Sequence, residues 1–213
     1  ESLRLQKQFA HAGEIADSLV DLGNILKAWG KTDQALQFLK AGIQFRGPLI
    51  LDADALNLIT DHPQLGQLLS RRKDSCTITP HPGEAARLLG ISVDQVQANR
   101  SGAIQLLIDR FRCYVVLKGH HTLVGSPNDA IYSCKAGNPG MATGGMGDVL
   151  TGLIASLAAQ GICHHLNLWE ATCLAVELHA RAADQLRPVW VARGVPNHLQ
   201  WHERTGGHAM GCA

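Results

Sequence analysis

The clearest chemical signal is a glycine-rich segment, residues 137–148, that leads directly into an apolar stretch with helical character. Glycines lack Cβ atoms, so their backbone N–H groups can converge on one anion, and the N-terminus of the following helix adds a positive dipole end. Asp148 follows at the helix start. A carboxylate there can take a proton from a hydroxyl that attacks a phosphoryl group, or can simply cap the helix. The residues expected to form the anion hole are Gly144, Gly145, Met146 and Gly147.

Three further polar clusters each follow a short apolar run of strand length. Each also has a structural alternative: helix capping by Asp54, helix initiation by the prolines that flank His81, and a solvated lysine in a hairpin turn at Lys118. Because parallel strands end at one edge of a sheet, where ligands bind, we expect all these clusters to line one cleft. The three clusters are Asp52, Asp54 and Asn57, then His81 and Glu84, then Lys118 and Thr122.

The elements that must position these residues can also be read from the sequence. Strand-length apolar runs alternate with helical periodicity, which is typical of βαβ units and an α/β fold. The predicted strands cover residues 48–51, 76–79, 113–117, 122–124 and 130–134. The predicted helices cover residues 32–45, 63–69, 84–89, 92–111 and 168–186, with one more from residue 149. On the last helix, the residues expected to face the core are Ala171, Leu174, Ala175, Leu178 and Ala182.

Composition restricts the class of protein. The chain has 213 residues, of which 46% are hydrophobic and 17% charged, so it is expected to fold around a core. Nineteen Lys and Arg against eighteen Asp and Glu leave a net charge of +1, too balanced for a nucleic-acid-binding surface. No apolar run is long enough for a membrane helix. The six cysteines include no CxxC pair, which favours reduced thiols and a cytoplasmic location.

Four strings of the sequence together resemble the ADP-dependent NAD(P)H-hydrate dehydratases, a family with a ribokinase-like fold. They occur in the family's order, and the resemblance runs from about residue 29 to about residue 186. It implies a three-layer α/β domain with a mainly parallel sheet and helices on both faces. The strings are LDADALNL at 51–58, TPHPGE at 79–84, VLKG at 116–119 with Thr122, and GNPGMATGGMGDVL at 137–150.

The resemblance implies repair of hydrated nicotinamide cofactors. The 6-hydroxyl of NADHX or NADPHX is phosphorylated from ADP, and elimination of phosphate then restores NADH or NADPH, so that AMP and phosphate are released. Phosphorylation helps because hydroxide is a poor leaving group and phosphate is a good one. The resemblance further implies ADP as co-substrate, Mg²⁺, a homo-oligomer (a tetramer in this family), and an NAD(P)H-hydrate epimerase as a fused or separate partner.

The family's residue roles carry over onto the matching positions. Asp148 is implied as the base that activates the hydroxyl, and the anion hole would stabilise charge on the transferring phosphoryl group. Glu84 resembles an acidic residue that holds a magnesium-bound water. The residues implied to meet the hydrated substrate are His81, Asn138 and Asp148. The residues implied to bind the nucleotide are Lys118, Gly119, His120, His121, Thr122 and Gly147.

The sequence departs from the family pattern at both ends. Further βα units and a Gly-Pro-Gly-Leu-Gly turn, expected upstream, have no counterpart in residues 1–28, which resemble an atypical helical segment. Residues 191–213 are predicted to form an irregular tail. We therefore expect a dehydratase core over residues 29–190 that is incomplete on its N-terminal side. Two alternatives stay open: a ribokinase-like small-molecule kinase, and a non-catalytic nucleotide-binding fragment of the dehydratase.

Overall fold

The computed structural model describes residues 31–192, with side chains described except at 162–164 and 187–192. The predicted N-terminal segment and all but two residues of the predicted tail therefore lie outside the described residues. Five strands form one sheet in chain order, and the first three are parallel. The last two extend this parallel core as antiparallel neighbours. The strands are β1 (Leu49–Leu51), β2 (Cys76–Ile78), β3 (Tyr114–Leu117), β4 (Leu123–Gly125) and β5 (Tyr132–Ser133).

Helices cover both faces of this sheet, as expected for the predicted three-layer α/β fold. Leu49 and Leu51 of β1 pack into a core with helices α1–α6, while Ile50 packs into a second core with α7 and α8. Successive strand residues point to opposite faces, so strands buried on both faces are apolar at every position. The helices are α1 (Thr32–Gln44), α2 (Ala53–Asp61), α3 (Pro63–Ser70), α4 (Pro82–Leu89), α5 (Val93–Ala98), α6 (Arg100–Phe111), α7 (Met146–His164) and α8 (Leu168–Ala192).

Helix boundaries correct three of the predictions. The single helix expected over residues 92–111 is two helices, because Asn99 leaves the helical conformation and its side chain accepts a hydrogen bond from Gly102 N–H. Helix α7 begins at Met146 instead of residue 149. Helix α2 was not predicted as an element, and its N-cap is Asp52, not Asp54. In each case the N-cap residue sets where the helix begins. These residues are Asn99 for α6, Gly145 for α7 and Asp52 for α2.

The core-facing side of α8 also differs from the prediction. Ala171 and Ala175 are buried as expected, but Leu174 and Leu178 are 40% and 43% exposed, and Ala182 is exposed. The alanines allow α8 to pack closely against the sheet and α7, and the large leucines then lie on the outer side. The other buried residues on this helix are Leu168, Thr172, Val176, Ala180 and Ala183.

Two further observations concern the helices and the cysteines. Across residues 31–192, no helix is both long enough and apolar enough to span a lipid bilayer. The described cysteines Cys76, Cys113 and Cys134 are buried as free thiols, and Cys173 is a partly buried free thiol.

Candidate functional site

The polar clusters that follow β1, β2 and β3 meet the start of α7 at one edge of the sheet. Lys118 Nζ lies 2.8 Å from Asp52 Oδ1 and 3.9 Å from Glu84 Oε2. A Cβ atom added to Gly147 would lie 3.3 Å from the same Nζ atom, so the first turn of α7 packs directly against the ammonium group. The expected convergence of the clusters is therefore observed, and Lys118 contacts a residue from each of the other three.

Asp52 anchors this cluster through three hydrogen bonds from three elements. Its Oδ1 accepts from Ala53 N–H and from Lys118 Nζ, each at 2.8 Å, and its Oδ2 accepts from Thr151 Oγ1 at 3.0 Å. Ala53 has a φ of +46°, a left-handed conformation that costs a residue with a Cβ about 1 kcal/mol or more. Asp54, the cap favoured from the sequence, instead accepts a hydrogen bond from Asn57 Nδ2.

His81 and Glu84 begin α4 as a reciprocal capping box. His81 Nδ1 accepts from Gly83 N–H at 3.0 Å and from Glu84 N–H at 3.3 Å, while Glu84 Oε2 accepts from His81 N–H at 2.7 Å. Because Nδ1 acts as an acceptor, a neutral imidazole must carry its proton on Nε2. Burial, Lys118 and Arg87 lower the pKa of His81, which favours this neutral form. His81 Nε2 lies 3.4 Å from Glu84 Oε1, so its proton is close to that carboxylate, and a ligand that binds Nε2 would share or displace this contact.

These hydrogen bonds show that His81 and Glu84 initiate α4, which was the structural alternative for this cluster. Glu84 was also expected to hold a magnesium-bound water, and its surroundings bear on that role. Glu84 is only 5% exposed, and burial raises the pKa of its carboxyl group. Within the described part of the chain, no cluster of three or more His, Cys, Asp or Glu residues could hold a metal ion. An ion at this edge would take most of its ligands from water and phosphate oxygens, as Mg²⁺ commonly does.

Lys118 is not the solvated lysine of the hairpin alternative, because its side chain is only 20% exposed. Its backbone is held on both sides. Lys118 N–H donates to Pro80 O at 2.9 Å, and Arg100 Nη2 donates to Leu117 O at 3.0 Å. These contacts join the end of β3 to the end of β2 and to the start of α6, so the backbone that carries the ammonium group is held in place.

The turn after Lys118 connects β3 to β4 and contains four of the other expected nucleotide-binding residues, while Gly147 lies in α7. Gly119 has a φ of +135°, which a side chain would strain. Thr122 Oγ1 donates to Gly119 O at 3.0 Å, and the rings of His120 and His121 lie 3.9 Å apart. All four residues therefore lie in the turn that follows Lys118.

In the glycine-rich segment, hydrogen bonds hold the first residues, whereas the space beside Gly144 and Gly145 is open. Asn138 Oδ1 accepts from Gly140 N–H, while Asn138 Nδ2 and Gly137 N–H donate to the Asp184 carboxylate of α8. Asn138 is 9% exposed and is occupied by these contacts. At Gly144 and Gly145, by contrast, an added Cβ would meet nothing within 4 Å.

The start of α7 has the properties of an anion site. Gly145 is its N-cap, with a φ of +86°, and no side chain among the described residues caps the helix. The first N–H groups of a helix have no partner within the helix, so an anion can satisfy them. Asp148 is exposed in the first turn and does not serve as the cap, so the capping alternative is wrong. Gly147 and Asp148 therefore flank the place where such an anion would lie.

Several residues of this site were not identified from the sequence. Asp52 was assigned to a cluster but its contact with Lys118 was not expected, and Thr151, Arg100 and Asp184 had no predicted role. Asp52 and Lys118 are 66 positions apart, and Thr151 is 99 positions from Asp52. The only sequence signal for the contact between Asp52 and Lys118 was that both follow predicted strands. The apolar pattern of α7 contained no signal for Thr151.

Asp184 should control how tightly the glycine-rich segment is held. Replacing Asp184 with alanine removes the shared acceptor of Gly137 N–H and Asn138 Nδ2, and each hydrogen bond to a charged group contributes about 1.5–3 kcal/mol. We expect amide hydrogen exchange in residues 137–145 to accelerate at least about tenfold. Asp109→Ala, which removes an exposed acceptor on α6, should leave that exchange unchanged. Equal exchange in both variants would show that Asp184 does not hold the segment.

Comparison with known proteins identifies a family model and several proteins that are similar to this chain. A family model described as NAD(P)H-hydrate dehydratase matches residues 9–199, a wider range than the 29–186 covered by the sequence strings. A bifunctional NAD(P)H-hydrate repair enzyme from Coxiella burnetii is 45% identical over 166 residues, which are 78% of this chain and 32% of that protein. An ADP-dependent (S)-NAD(P)H-hydrate dehydratase from Neisseria meningitidis is 48% identical over 140 residues, 66% of this chain and 46% of that protein.

Solved structures are also similar to this chain. An ADP/ATP-dependent NAD(P)H-hydrate dehydratase from Bacillus subtilis, co-crystallised with ATP and Mg²⁺, is similar with a TM-score of 0.59 and 29% identity, over 75% of this chain and 52% of that one. A ribokinase-like superfamily protein from Enterococcus faecalis is similar with a TM-score of 0.57 and 28% identity, over 78% and 58% of the two chains. The chain thus spans about a third to a half of the length of the curated relatives it matches.

Proposed function

The chain belongs to the NAD(P)H-hydrate dehydratase family, and from this premise we propose that it acts in the ADP-dependent dehydration of hydrated NADH and NADPH. In the proposed reaction, ADP phosphorylates the 6-hydroxyl of NADHX or NADPHX. Elimination of phosphate then restores the dihydronicotinamide, and AMP and phosphate are released. The enzyme class is a hydro-lyase that repairs nicotinamide nucleotides.

The single observation that carries this proposal is the position of Lys118 Nζ beside the first turn of α7. Gly147 would place a Cβ 3.3 Å from this ammonium group, so a positive side chain and uncapped helix N–H groups face the same space. Because Asp52 and Glu84 offset the charge of Lys118, the helix N–H groups supply most of the positive field, and the ammonium group adds a hydrogen-bond donor for an anion such as a phosphoryl group. Gly144, Gly145, Met146 and Gly147 are the proposed anion hole.

Asp148 is the proposed general base. It lies next to Gly147 in the first turn of α7 and is exposed, so a substrate hydroxyl can approach it. As the hydroxyl oxygen attacks the β-phosphorus of ADP, its proton would pass to the Asp148 carboxylate, and the bond to the AMP oxygen would break. In the second step the phosphate leaves from C6 with the electron pair of its C–O bond, and C5 loses a proton to solvent so that the C5=C6 double bond forms.

His81 and Asn138 are proposed to meet the hydrated substrate. The capping box supports the role of His81, because it keeps the proton on Nε2, and the half-exposed side chain lets a ligand approach this donor beside Glu84 Oε1. Asn138 is the less direct candidate, since its side-chain amide already bonds Gly140 and Asp184. The proposed nucleotide contacts are Lys118, Gly119, His120, His121, Thr122 and Gly147.

Glu84 is the proposed residue for holding a magnesium-bound water. The carboxylates of Asp52 and Glu84 lie on either side of Lys118, and such oxygen donors fit Mg²⁺ bound through water and phosphate oxygens. When bound, Mg²⁺ would neutralise charge on the phosphates of ADP.

The location, the oligomeric state and the protein partner of this chain are also proposals. We place it in the cytoplasm, as a homo-oligomer of the tetrameric kind suggested by the family, and with an NAD(P)H-hydrate epimerase as a fused or separate partner. Exposed leucines along α8, at Leu174, Leu178 and Leu186, support association through that helix.

The assay that tests this function is conversion of NADHX by this chain with ADP and Mg²⁺. We expect absorbance of the dihydronicotinamide ring to return, with one AMP formed per NADH and no return without ADP. ADP binding without NADH formation would favour the non-catalytic fragment. Phosphorylation of a small alcohol, such as a thiazole or hydroxymethylpyrimidine, in place of NADHX would favour the kinase alternative.

A further inference from the structure

Helix α7 contacts the Asp52–Lys118 ion pair through one face. Gly147 and Thr151 are four residues apart, so both lie on the same side of the helix. A Cβ at Gly147 would lie 3.6 Å from Asp52 Oδ2, and Thr151 Oγ1 donates to that same oxygen at 3.0 Å. This face therefore determines how the N-terminus of α7 lies relative to the ammonium group.

We propose that Thr151 is a positioning residue for phosphate binding, which acts by holding Asp52 and, through it, Lys118 Nζ against the first turn of α7. This inference rests on the nucleotide-binding part of the proposed function. Thr151 itself need not touch the ligand. Its hydroxyl orients a carboxylate, and that carboxylate places the charge that meets the phosphate.

The need for such a contact follows from the geometry of the Asp52 carboxylate. Its Oδ1 is shared between Ala53 N–H and Lys118 Nζ, and the terminal torsion of an aspartate is soft. Without a donor at Oδ2, the carboxylate can rotate and weaken its bond to Lys118. Glu84 Oε2, 3.9 Å from Nζ, then offers a competing partner in another direction. The hydrogen bond from Thr151 Oγ1 to Oδ2 restricts this rotation of the Asp52 carboxylate.

The backbone beside Asp52 is an independent sign that its direction matters. Ala53 adopts a φ of +46°, which most non-glycine residues avoid. The strained residue directly follows the carboxylate and donates its own N–H to it. Strain that persists at a ligand-binding edge indicates a function for the geometry it preserves.

The expected consequence is specific to phosphate. If Thr151 only stabilised the fold, its loss would weaken the binding of every ligand alike or of none. If it positions Lys118, its loss should weaken binding of ADP and spare adenosine, which lacks the phosphates. The ratio of the two dissociation constants therefore separates positioning from general stability.

The test uses Thr151→Val, which keeps the shape and removes the hydroxyl, and Thr151→Ser, which keeps the hydroxyl. Calorimetric titration should give a Kd for ADP about tenfold higher in Thr151→Val, equivalent to about 1.4 kcal/mol, and within about twofold of wild type in Thr151→Ser. The Kd for adenosine should stay within about twofold in both. Thr60→Val is the matched control, because within residues 31–192 Thr60 Oγ1 donates only to the carbonyl of Leu56 in its own helix.

The outcomes distinguish this inference from the proposed function. An unchanged ratio of ADP to adenosine affinity in Thr151→Val, or no rescue by serine, would overturn the positioning role. If Thr151→Val does not fold, as judged by its thermal transition, Thr151→Ala takes its place in the same comparison. A wild-type chain that binds ADP but does not convert NADHX would overturn the dehydratase function while a Thr151-dependent ADP affinity still supports positioning.

Discussion

Replacing Asp148 with asparagine is expected to lower kcat for NADHX dehydration by at least about 100-fold, because removal of a general base commonly costs 10²–10⁴-fold. The affinity for ADP should stay within about twofold, since the proposed nucleotide contacts come from Lys118, its turn and Gly147. Asparagine keeps the size of the side chain. Loss of a negative charge in the first turn of α7 should reduce stability by only about 0.3–1 kcal/mol.

The control for this variant is Asp94→Asn. Asp94 is also an exposed aspartate in the first turn of a helix, α5, but it lies away from the strand ends that form the site. Its replacement should change the thermal transition by a similar small amount and leave kcat unchanged. Wild-type kcat in Asp148→Asn, measured by steady-state kinetics, would show that Asp148 is not the base.

Replacing Lys118 with methionine should affect both binding and stability. The ammonium group lies between two carboxylates whose side chains are only 10% and 6% exposed, and its loss leaves them without their cation. Breaking a fully buried pair costs about 3–5 kcal/mol, and partial exposure reduces this to about 2–3 kcal/mol. Loss of a charged contact to phosphate should raise the Kd for ADP roughly 10–100-fold.

Two measurements check this second result. Calorimetric titration gives the ADP affinity, and urea denaturation gives the free energy of unfolding. Lys40→Met, at an exposed position on α1, is the matched control and should leave both quantities unchanged. Wild-type ADP affinity in Lys118→Met would remove Lys118 from the nucleotide site, whatever the change in stability.

The instability of Lys118→Met should also depend on pH in a defined direction. Burial raises the pKa of Glu84, and Lys118 opposes that rise, so without the lysine the pKa is higher still. A carboxyl group whose pKa is higher in the folded state than in the unfolded state favours folding when protonated. The variant should therefore lose more stability above the pKa of Glu84 than below it, and recover part of it as the pH falls.

Some features of the fold and the site could be predicted from the sequence, and others could not. Lys118 and His81 could be found because each follows an apolar strand, and strand ends of a parallel sheet share one edge. The start of α7, where we propose that an anion binds, could be found because glycines without side chains lead into a helix. The outward side of α8 could not, since it depends on which of two plausible apolar patterns the neighbouring elements bury.

By itself, the sequence determined the α/β class, the order of the strands along the chain and the family, and it predicted the glycine, histidine and lysine positions that we propose to hold a phosphate ligand. These follow from local rules, because periodicity, turn residues and helix starts involve neighbours in the chain. Only the tertiary structure decided that Thr151, Asp52 and Lys118 form one hydrogen-bonded chain. Such contacts join residues 66 and 99 positions apart, and their distances are set by how α7 packs on the sheet, which no local pattern encodes.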